Sequence, residues 1–186
     1  VSKKSFSTDE GPRPGSTVEG LGKLKSPFKT GGSVTAASSS QVSDGAAASV
    51  VMSREKADQL GLPILGVLRM YSVVGVPPEI MGIGPAKAIP KALEKIGLTI
   101  DDIDVFEVNE AFASQAIYCQ RELGIPEDKL NPNGGAIALG HPLGCTGARM
   151  TATLLHEMAK KDAKFGVVSM CIGGGMGAAA VFEREN

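Results

Sequence analysis

Residues 165–183 read FGVVSMCIGGGMGAAAVFE, two apolar runs on either side of a glycine-rich centre. The first run, residues 165–172, has the length and the β-branched content of a buried strand, and residues 173–177 predict a tight turn. Residues 178–183 then return as a last strand. Because only five residues join them, the two strands are predicted to be antiparallel neighbours in one sheet.

The rest of the chain alternates short apolar runs with helical periods. Ser53 and Gly61 have the residue types that begin and end a helix. We predict three further strands at residues 46–52, 64–70 and 105–108, helices at residues 54–60, 85–96, 112–123 and 146–161, and a glycine-rich loop at residues 131–147. Strands separated by helices indicate an α/β fold with a mostly parallel, mixed five-stranded sheet and helices on both faces.

Composition limits the domain count and the partners. The chain has 186 residues, 42% hydrophobic and 21% charged, which suits a single folded domain and excludes disorder and coiled coil. Residues 1–33, rich in Ser, Gly, Pro and Lys, are predicted to be an extended arm, and residues 34–186 one domain. We expect the chain to begin in mid-protein, because its first residues lack an initiator Met and an apolar signal core.

Charge and cysteine content exclude several classes of partner. The net charge is −1, and no dense block of Lys and Arg with interleaved aromatic residues occurs, so we expect no nucleic-acid partner. No run of eighteen apolar residues predicts a membrane span. Three cysteines and two histidines lack metal-type spacing, so we expect no metal site and reduced thiols in an intracellular compartment.

Three short segments place reactive side chains at predicted strand ends or in glycine-rich loops, where open α/β sheets bind ligands. Asn109 and Glu110 follow a strand; the Asn109 amide could orient a water or a carbonyl, or Asn109 could simply be a helix N-cap. His141 lies in a loop with five glycines and could act as a base near neutral pH, or be a solvated loop histidine. Cys171 ends a strand before three glycines, and could be a nucleophile, an acid/base or a small buried hydrophobe. These alternatives stay open on the residues alone.

The other candidates favour structural roles. Cys119 is predicted to lie on a helix and Cys145 in the glycine-rich loop, neither with a base paired to it in the sequence. His156 is expected on the surface of a helix. The glycines at residues 173–177 join two strands and therefore do not form a dinucleotide fingerprint, which opens a helix after a strand.

Four segments in this order resemble the thiolase family, and within it the peroxisomal type of 3-ketoacyl-CoA thiolase. They are QVSDGAA at residues 41–47, NEAFA at 109–113, GGAIALGHPLGCTGAR at 134–149 and VVSMCIG at 167–173. The resemblance covers the C-terminal half of such an enzyme and the tail of the loop domain before it. It implies a fold of two similar halves, with helices packed between their sheets.

The resemblance also implies an activity and residue roles. A thiolase cleaves 3-ketoacyl-CoA with CoA into acetyl-CoA and a shortened acyl-CoA, in fatty-acid β-oxidation. By resemblance, His141 activates the nucleophilic cysteine, Cys171 protonates the leaving enolate and deprotonates CoA, Asn109 holds a water of one oxyanion hole, and Gly173 donates its N–H to another. The nucleophile belongs to the family's N-terminal half, and none of the three cysteines here matches it, so we expect the chain alone to be inactive.

The resemblance extends to ligands and partners. Ser40 and Phe112 match positions that contact the pantetheine arm of CoA, which would be a co-substrate and not a permanently bound cofactor. The expected partners are acyl-CoA substrates, the N-terminal thiolase half and a second copy in a homodimer. The peroxisome is the implied compartment, with mitochondrion and cytosol as alternatives. Two other functions remain: a condensing enzyme, which the cysteine at position 171 argues against, and a non-catalytic acyl-CoA-binding, lipid-binding or structural module.

Overall fold

The computed structural model describes residues 5, 7–9 and 11–185. Within these residues the elements are α1 (Val18–Leu21), α2 (Arg54–Leu60), β1 (Val67–Gly75), α3 (Gly84–Glu94), β2 (Val105–Val108), α4 (Ala113–Leu123), α5 (Ala136–Leu139), α6 (Thr146–Lys161), β3 (Phe165–Ile172) and β4 (Met176–Glu183). Short 3-10 helices occur at Ala36–Ser38, Pro78–Ile83 and Glu127–Lys129.

The four strands form one mixed sheet in the order β1-β4-β3-β2. The predicted hairpin is confirmed, because β3 and β4 pair antiparallel, and β4 also pairs antiparallel with β1. β2 and β3 pair parallel. Three strands thus share one direction, as the alternation with helices predicts, while the hairpin inserts β4 between β1 and β3.

The prediction of a fifth strand at residues 46–52 is wrong for this sheet. The segment has no regular secondary structure, and Val50 and Val51 are 85% and 90% exposed. An apolar run becomes a strand only where a neighbouring strand accepts its hydrogen bonds, and within the described chain none does. At the β2 edge the sheet extends instead by a single parallel bridge between Phe106 and Leu130.

Helices cover both faces of the sheet, as predicted. On one face Ile89 and Leu93 of α3 pack with Phe106 of β2 in the larger core. On the other face Met150 and Leu154 of α6 pack with neighbouring strand residues that point the opposite way. Successive strand residues alternate between these two cores, as the pleat requires.

The helix-end signals at α2 act as expected, and α4 ends in the same way. The Ser53 hydroxyl accepts the Lys56 N–H at the start of α2, and Gly61 closes it in the left-handed conformation at φ 61°. Gly124 ends α4 in the same way at φ 66°. The prediction of a loop without helices at residues 131–147 is wrong, because the segment contains the four-residue helix α5.

The predicted arm at residues 1–33 is largely exposed where it is described, and it contains α1. Residues 1–4, 6 and 10 of the arm and Asn186 at the other end lie outside the described residues. Among the helices of the described part, none has the length and apolar content needed to cross a membrane.

Candidate active site

Two strand ends bring the candidate residues to one edge of the sheet. β2 and β3 are parallel neighbours, with Val108 paired to Ser169, so their carboxyl ends lie side by side. Asn109 directly follows β2, and its backbone N–H donates to the Ser169 carbonyl at 2.9 Å. Cys171 lies two residues further along β3. This is the edge at which open α/β sheets bind their ligands.

The imidazole of His141 is held between two side chains. Asn109 Nδ2 lies 3.2 Å from His141 Nε2, and Thr146 Oγ1 lies 2.7 Å from His141 Nδ1. The Thr146 hydroxyl donates to the Pro142 carbonyl at 2.9 Å. Because that proton is used, the Thr146 oxygen accepts from Nδ1–H, and Nε2 keeps its lone pair. The neutral ring is thereby fixed in the tautomer whose basic nitrogen faces Asn109.

The backbone around His141 is fixed against an earlier segment of the chain. The His141 N–H donates to the Gln41 carbonyl at 3.3 Å, and His141 forms a parallel bridge with Val42. Gly140 has φ 96°, and a Cβ there would overlap the Ser43 side chain. Glycine is therefore required before the histidine, both for the left-handed backbone and for the close approach.

The surroundings set the protonation states of the two reactive groups. Burial, with a smaller contribution from Arg149, lowers the pKa of His141. Burial also raises the pKa of the Cys171 thiol. At neutral pH the imidazole is therefore predominantly a neutral base and Cys171 predominantly a thiol, which can donate a proton.

A carboxylic acid is buried in β2, the strand that Asn109 follows. Glu107, in the middle of β2, is 1% exposed, and its Oε1 has no hydrogen-bond partner within the described residues. Burial raises the pKa of Glu107 to about 7, while Arg149 acts in the opposite direction. Glu107 therefore carries a large part of its proton at neutral pH.

A groove with a volume of about 520 Å³ opens beside Cys171. Its wall is mainly apolar and includes Phe28, Ile80, Phe112 and Tyr118. Phe28 comes from the predicted arm, and Phe112 is the residue before α4. The groove thus joins the arm to the carboxyl edge of the sheet.

Two of the predicted site residues, Ser40 and Gly173, do not line the groove. The Ser40 N–H donates to the Ala111 carbonyl at 3.0 Å, and Ser39 forms an antiparallel bridge with Phe112, which does line the groove. Gly173 begins the exposed turn between β3 and β4, followed by Gly174 and Gly175 at φ 88° and 92°. Its backbone N–H lies two residues beyond Cys171 in the chain.

Comparison with known proteins agrees with these motifs. Residues 62–184 match the family described as "Thiolase, C-terminal domain", and residues 1–55 match "Thiolase, N-terminal domain". The chain belongs to the thiolase family. It is similar to 3-ketoacyl-CoA thiolase B, peroxisomal, of Rattus norvegicus, with 70% identity over 96% of this chain and 42% of the relative.

Solved thiolases share the fold. The dimeric peroxisomal thiolase of Saccharomyces cerevisiae is 56% identical, with a TM-score of 0.85 over 97% of this chain and 46% of that one. Human mitochondrial 3-ketoacyl-CoA thiolase in complex with CoA is 44% identical, with a TM-score of 0.89 over the same shares. The chain therefore spans less than half the length of the thiolases that it matches.

In this thiolase chain the structure resolves several alternatives left by the sequence. Asn109 is not a helix N-cap, because α4 begins after Phe112. Cys119 is fully buried on α4, and His156 is exposed on α6, as expected. Cys145 directly precedes α6. Among the described residues, no cluster of three or more His, Cys, Asp or Glu could hold a metal ion.

Two residues near the site, Thr146 and Glu107, are not among the candidates predicted from the sequence, and a third, Glu110, lies in a candidate segment without a predicted role. Thr146 fixes the tautomer of His141, Glu107 is a buried acid, and Glu110 holds the start of α5. A threonine five positions after the histidine, at a helix start, is a signal that could have suggested the first. Nothing local predicts what Glu110 contacts, because its partners lie more than twenty residues away.

Proposed function

We propose that this chain is the C-terminal catalytic half of a 3-ketoacyl-CoA thiolase, an acetyl-CoA acyltransferase that acts in fatty-acid β-oxidation. The observation that carries the proposal is the neutral imidazole of His141, fixed by Asn109 and Thr146 at the strand edge where Cys171 lies. Peroxisomal relatives with high identity over nearly the whole chain support it.

His141 activates the nucleophile. Its Nε2 accepts the proton of a cysteine thiol, which we place on the N-terminal half, and the resulting thiolate attacks the ketone carbon of 3-ketoacyl-CoA. The bond between the second and third acyl carbons then breaks, leaving the shortened acyl group as a thioester on that cysteine. The electron pair stays on the departing acetyl-CoA as an enolate.

Cys171 moves the second proton. Its thiol protonates the enolate carbon, which completes acetyl-CoA and leaves a thiolate on Cys171. That thiolate takes the proton from the thiol of incoming CoA, and the CoA sulfur attacks the thioester to form the shortened acyl-CoA. The nucleophilic cysteine leaves as a thiolate and takes back its proton from His141. The raised pKa of Cys171 supports this order, because the group must begin as a thiol.

In this proposal the oxyanions are stabilised by two hydrogen-bond donors, a water held by Asn109 and the backbone N–H of Gly173. Asn109 lies against His141, and its buried Oδ1 has no partner within the described residues, which suits the binding of a water beside the imidazole. Gly173 offers a backbone N–H in the exposed turn after Cys171. Preorganised donors of this kind supply a large part of the rate in acyl transfer.

The groove beside Cys171 is the proposed path for the pantetheine arm of CoA. Phe112 lines it, and Ser40 is held to the adjoining backbone at Ala111. CoA is a co-substrate here and not a bound cofactor. That a human mitochondrial relative was crystallised with CoA supports this choice of ligand.

The N-terminal half is the proposed partner of residues 46–52. These residues keep Val50 and Val51 exposed, and the match to the N-terminal thiolase domain ends at residue 55, just beyond them. We assign the segment to a strand that pairs with the sheet of the other half, while residues 1–33 form the tail of the loop domain and residues 34–186 the C-terminal domain. Val51→Asp should then weaken association of the two halves without unfolding this chain.

Assembly and compartment follow the relatives. The Saccharomyces cerevisiae thiolase is described as dimeric and peroxisomal, and the rat relative as peroxisomal. We propose a homodimer of complete enzymes in the peroxisome.

The test combines this chain with the N-terminal part of a thiolase such as the rat relative and follows CoA-dependent loss of 3-ketoacyl-CoA. We expect His141→Ala and Cys171→Ala each to lower the rate on the order of 10²- to 10⁴-fold. Cys145→Ala is the matched control and should keep the parent rate. Acyl-CoA binding with no turnover by the combined parent halves would contradict the proposal and favour a non-catalytic acyl-CoA-binding module.

A further inference from the structure

The carboxylate of Glu110 bridges two elements outside the reacting groups. Its Oε1 accepts from Asn131 Nδ2 at 3.1 Å, and its Oε2 accepts from the Ile137 N–H at 3.2 Å. Asn131 is itself fixed to β2, because its amide group pairs with the N–H and the carbonyl of Val108 at 2.8 and 2.9 Å. Asn131 therefore holds the Glu110 carboxylate in a fixed position relative to β2.

The Ile137 N–H belongs to the first turn of α5, where backbone donors lack partners within the helix. The N-cap of α5 is Gly135, which has no side chain to accept them. A Cβ on Gly135 would overlap the Glu110 carboxylate. Gly135 has a negative φ that any residue can adopt, so its backbone conformation does not require glycine. Glycine is needed here because the missing side chain leaves room for the Glu110 carboxylate.

α5 connects this contact directly to the histidine. The helix begins after Gly135 and ends at Gly140, whose N–H donates to the Ala136 carbonyl at 2.8 Å. The next residue is His141. Two adjacent residues after β2 therefore hold one segment at both ends: Glu110 holds the start of α5, and Asn109 contacts the imidazole beyond its end.

We infer that Glu110 is a positioning residue for His141: through Ile137 and the space left by Gly135, it fixes α5 so that the imidazole meets Asn109 and Thr146. Glu110 does not contact the reacting groups. The relevance of this inference to catalysis rests on the proposed function, but the effect of Glu110 on the His141 ring can be measured without any turnover.

The measurement is an NMR titration of the histidine ring signals of the full 186-residue chain. The chain has two histidines, so exposed His156 on α6 supplies a reference signal in the same spectrum. In Glu110→Ala we expect the pKa of His141 to rise. Burial and the positive charge of Arg149 lower this pKa, and both effects weaken when the ring leaves its buried position. Loss of the Glu110 charge alone would act in the opposite direction and lower it.

A second variant reaches the same contact without changing a charge. Gly135→Ala should displace the carboxylate and raise the pKa of His141 as well. Gly144→Ala is the matched control in the same loop, because nothing lies within 4 Å of a Cβ there. In the double variant Glu110→Ala with Gly135→Ala, the shift should be no larger than in Glu110→Ala alone, since both changes act through one contact.

The outcomes separate this inference from the proposed function. An unchanged or lowered pKa of His141 in folded Glu110→Ala, or an effect of Gly135→Ala no larger than that of Gly144→Ala, would overturn the positioning role. An upward shift in both variants supports it. If the shift occurs while thiolysis by the combined halves is unaffected, the positioning role stands and the proposed catalytic role of His141 fails.

Discussion

Glu107→Gln should stabilise the chain, and the gain should grow with pH. The folded chain raises the pKa of this buried carboxyl from 4.5 to about 7, so folded Glu107 keeps a proton that the unfolded chain releases. Between these values the folded state binds more protons, and the free energy of unfolding falls as pH rises. A rise from 4.5 to about 7 corresponds to about 3 kcal/mol. Glutamine has nearly the same shape and never ionises, so the variant escapes this loss.

Urea unfolding of the parent and the variant at about pH 5 and about pH 8 measures the effect. We expect the stability difference in favour of Glu107→Gln to grow by about 2 kcal/mol between these conditions, because part of the loss has already occurred at the lower pH.

The matched control for this effect is Glu157→Gln on α6. A hydrogen bond from Asn133 and the nearby Lys160 and Lys161 lower the pKa of Glu157. Its carboxylate therefore stabilises the folded chain at pH values above the pKa of Glu157 in the unfolded chain, and this stabilisation is lost as pH falls. Glu157→Gln should therefore destabilise the chain at about pH 8. A stability difference between Glu107→Gln and the parent that does not change with pH, or stabilisation by both variants, would show that burial does not raise the pKa of Glu107 in the folded chain.

Three further predictions concern packing and the site. Gly177→Ala should lower the free energy of unfolding by about 1–3 kcal/mol or more in urea unfolding, because its Cβ would overlap the backbone at the first residue of α3, whereas Gly75→Ala, in open space on the same sheet, should not. Thr146→Val should lower kcat/KM of the combined halves on the order of 10-fold, because the Nδ1–H of His141 loses its acceptor; an unchanged kcat/KM would contradict the assigned tautomer. The pH profile of kcat/KM should stay flat from below 6.5 to above 9.0, because the pKa of His141 lies below the ordinary histidine value of 6.5 and that of Cys171 above the ordinary cysteine value of 9.0. A narrower plateau would argue against a role for these two groups.

The elements that the sequence predicts well are those whose signals are local. The boundaries of β2, β3 and α6 follow from apolar period and flanking turn residues, and the cap of α2 follows from Ser53. The sequence also predicts that Asn109 and Cys171 lie near each other, because the carboxyl ends of parallel strands lie at the same edge of a sheet.

The features that the sequence does not predict depend on distant partners. Residues 46–52 have the composition of a strand, but a strand needs a neighbour, and the described chain supplies none. α5 has only four residues, too few for a periodic signal, and its start is held by Glu110. The raised pKa of Glu107 follows from burial between the sheet and α6, which a single glutamate within an apolar run does not reveal.

The proposal that the nucleophilic cysteine lies on the N-terminal half is tested most directly by finding which polypeptide carries the acyl group during turnover. The chain and the N-terminal thiolase part would be mixed with 3-ketoacyl-CoA in the absence of CoA, quenched in acid and weighed by intact-mass spectrometry. We expect an acyl adduct on the N-terminal polypeptide, none on this chain, and removal of the adduct when CoA is added. An acyl adduct on this chain, at Cys171 or either other cysteine, would contradict the proposal.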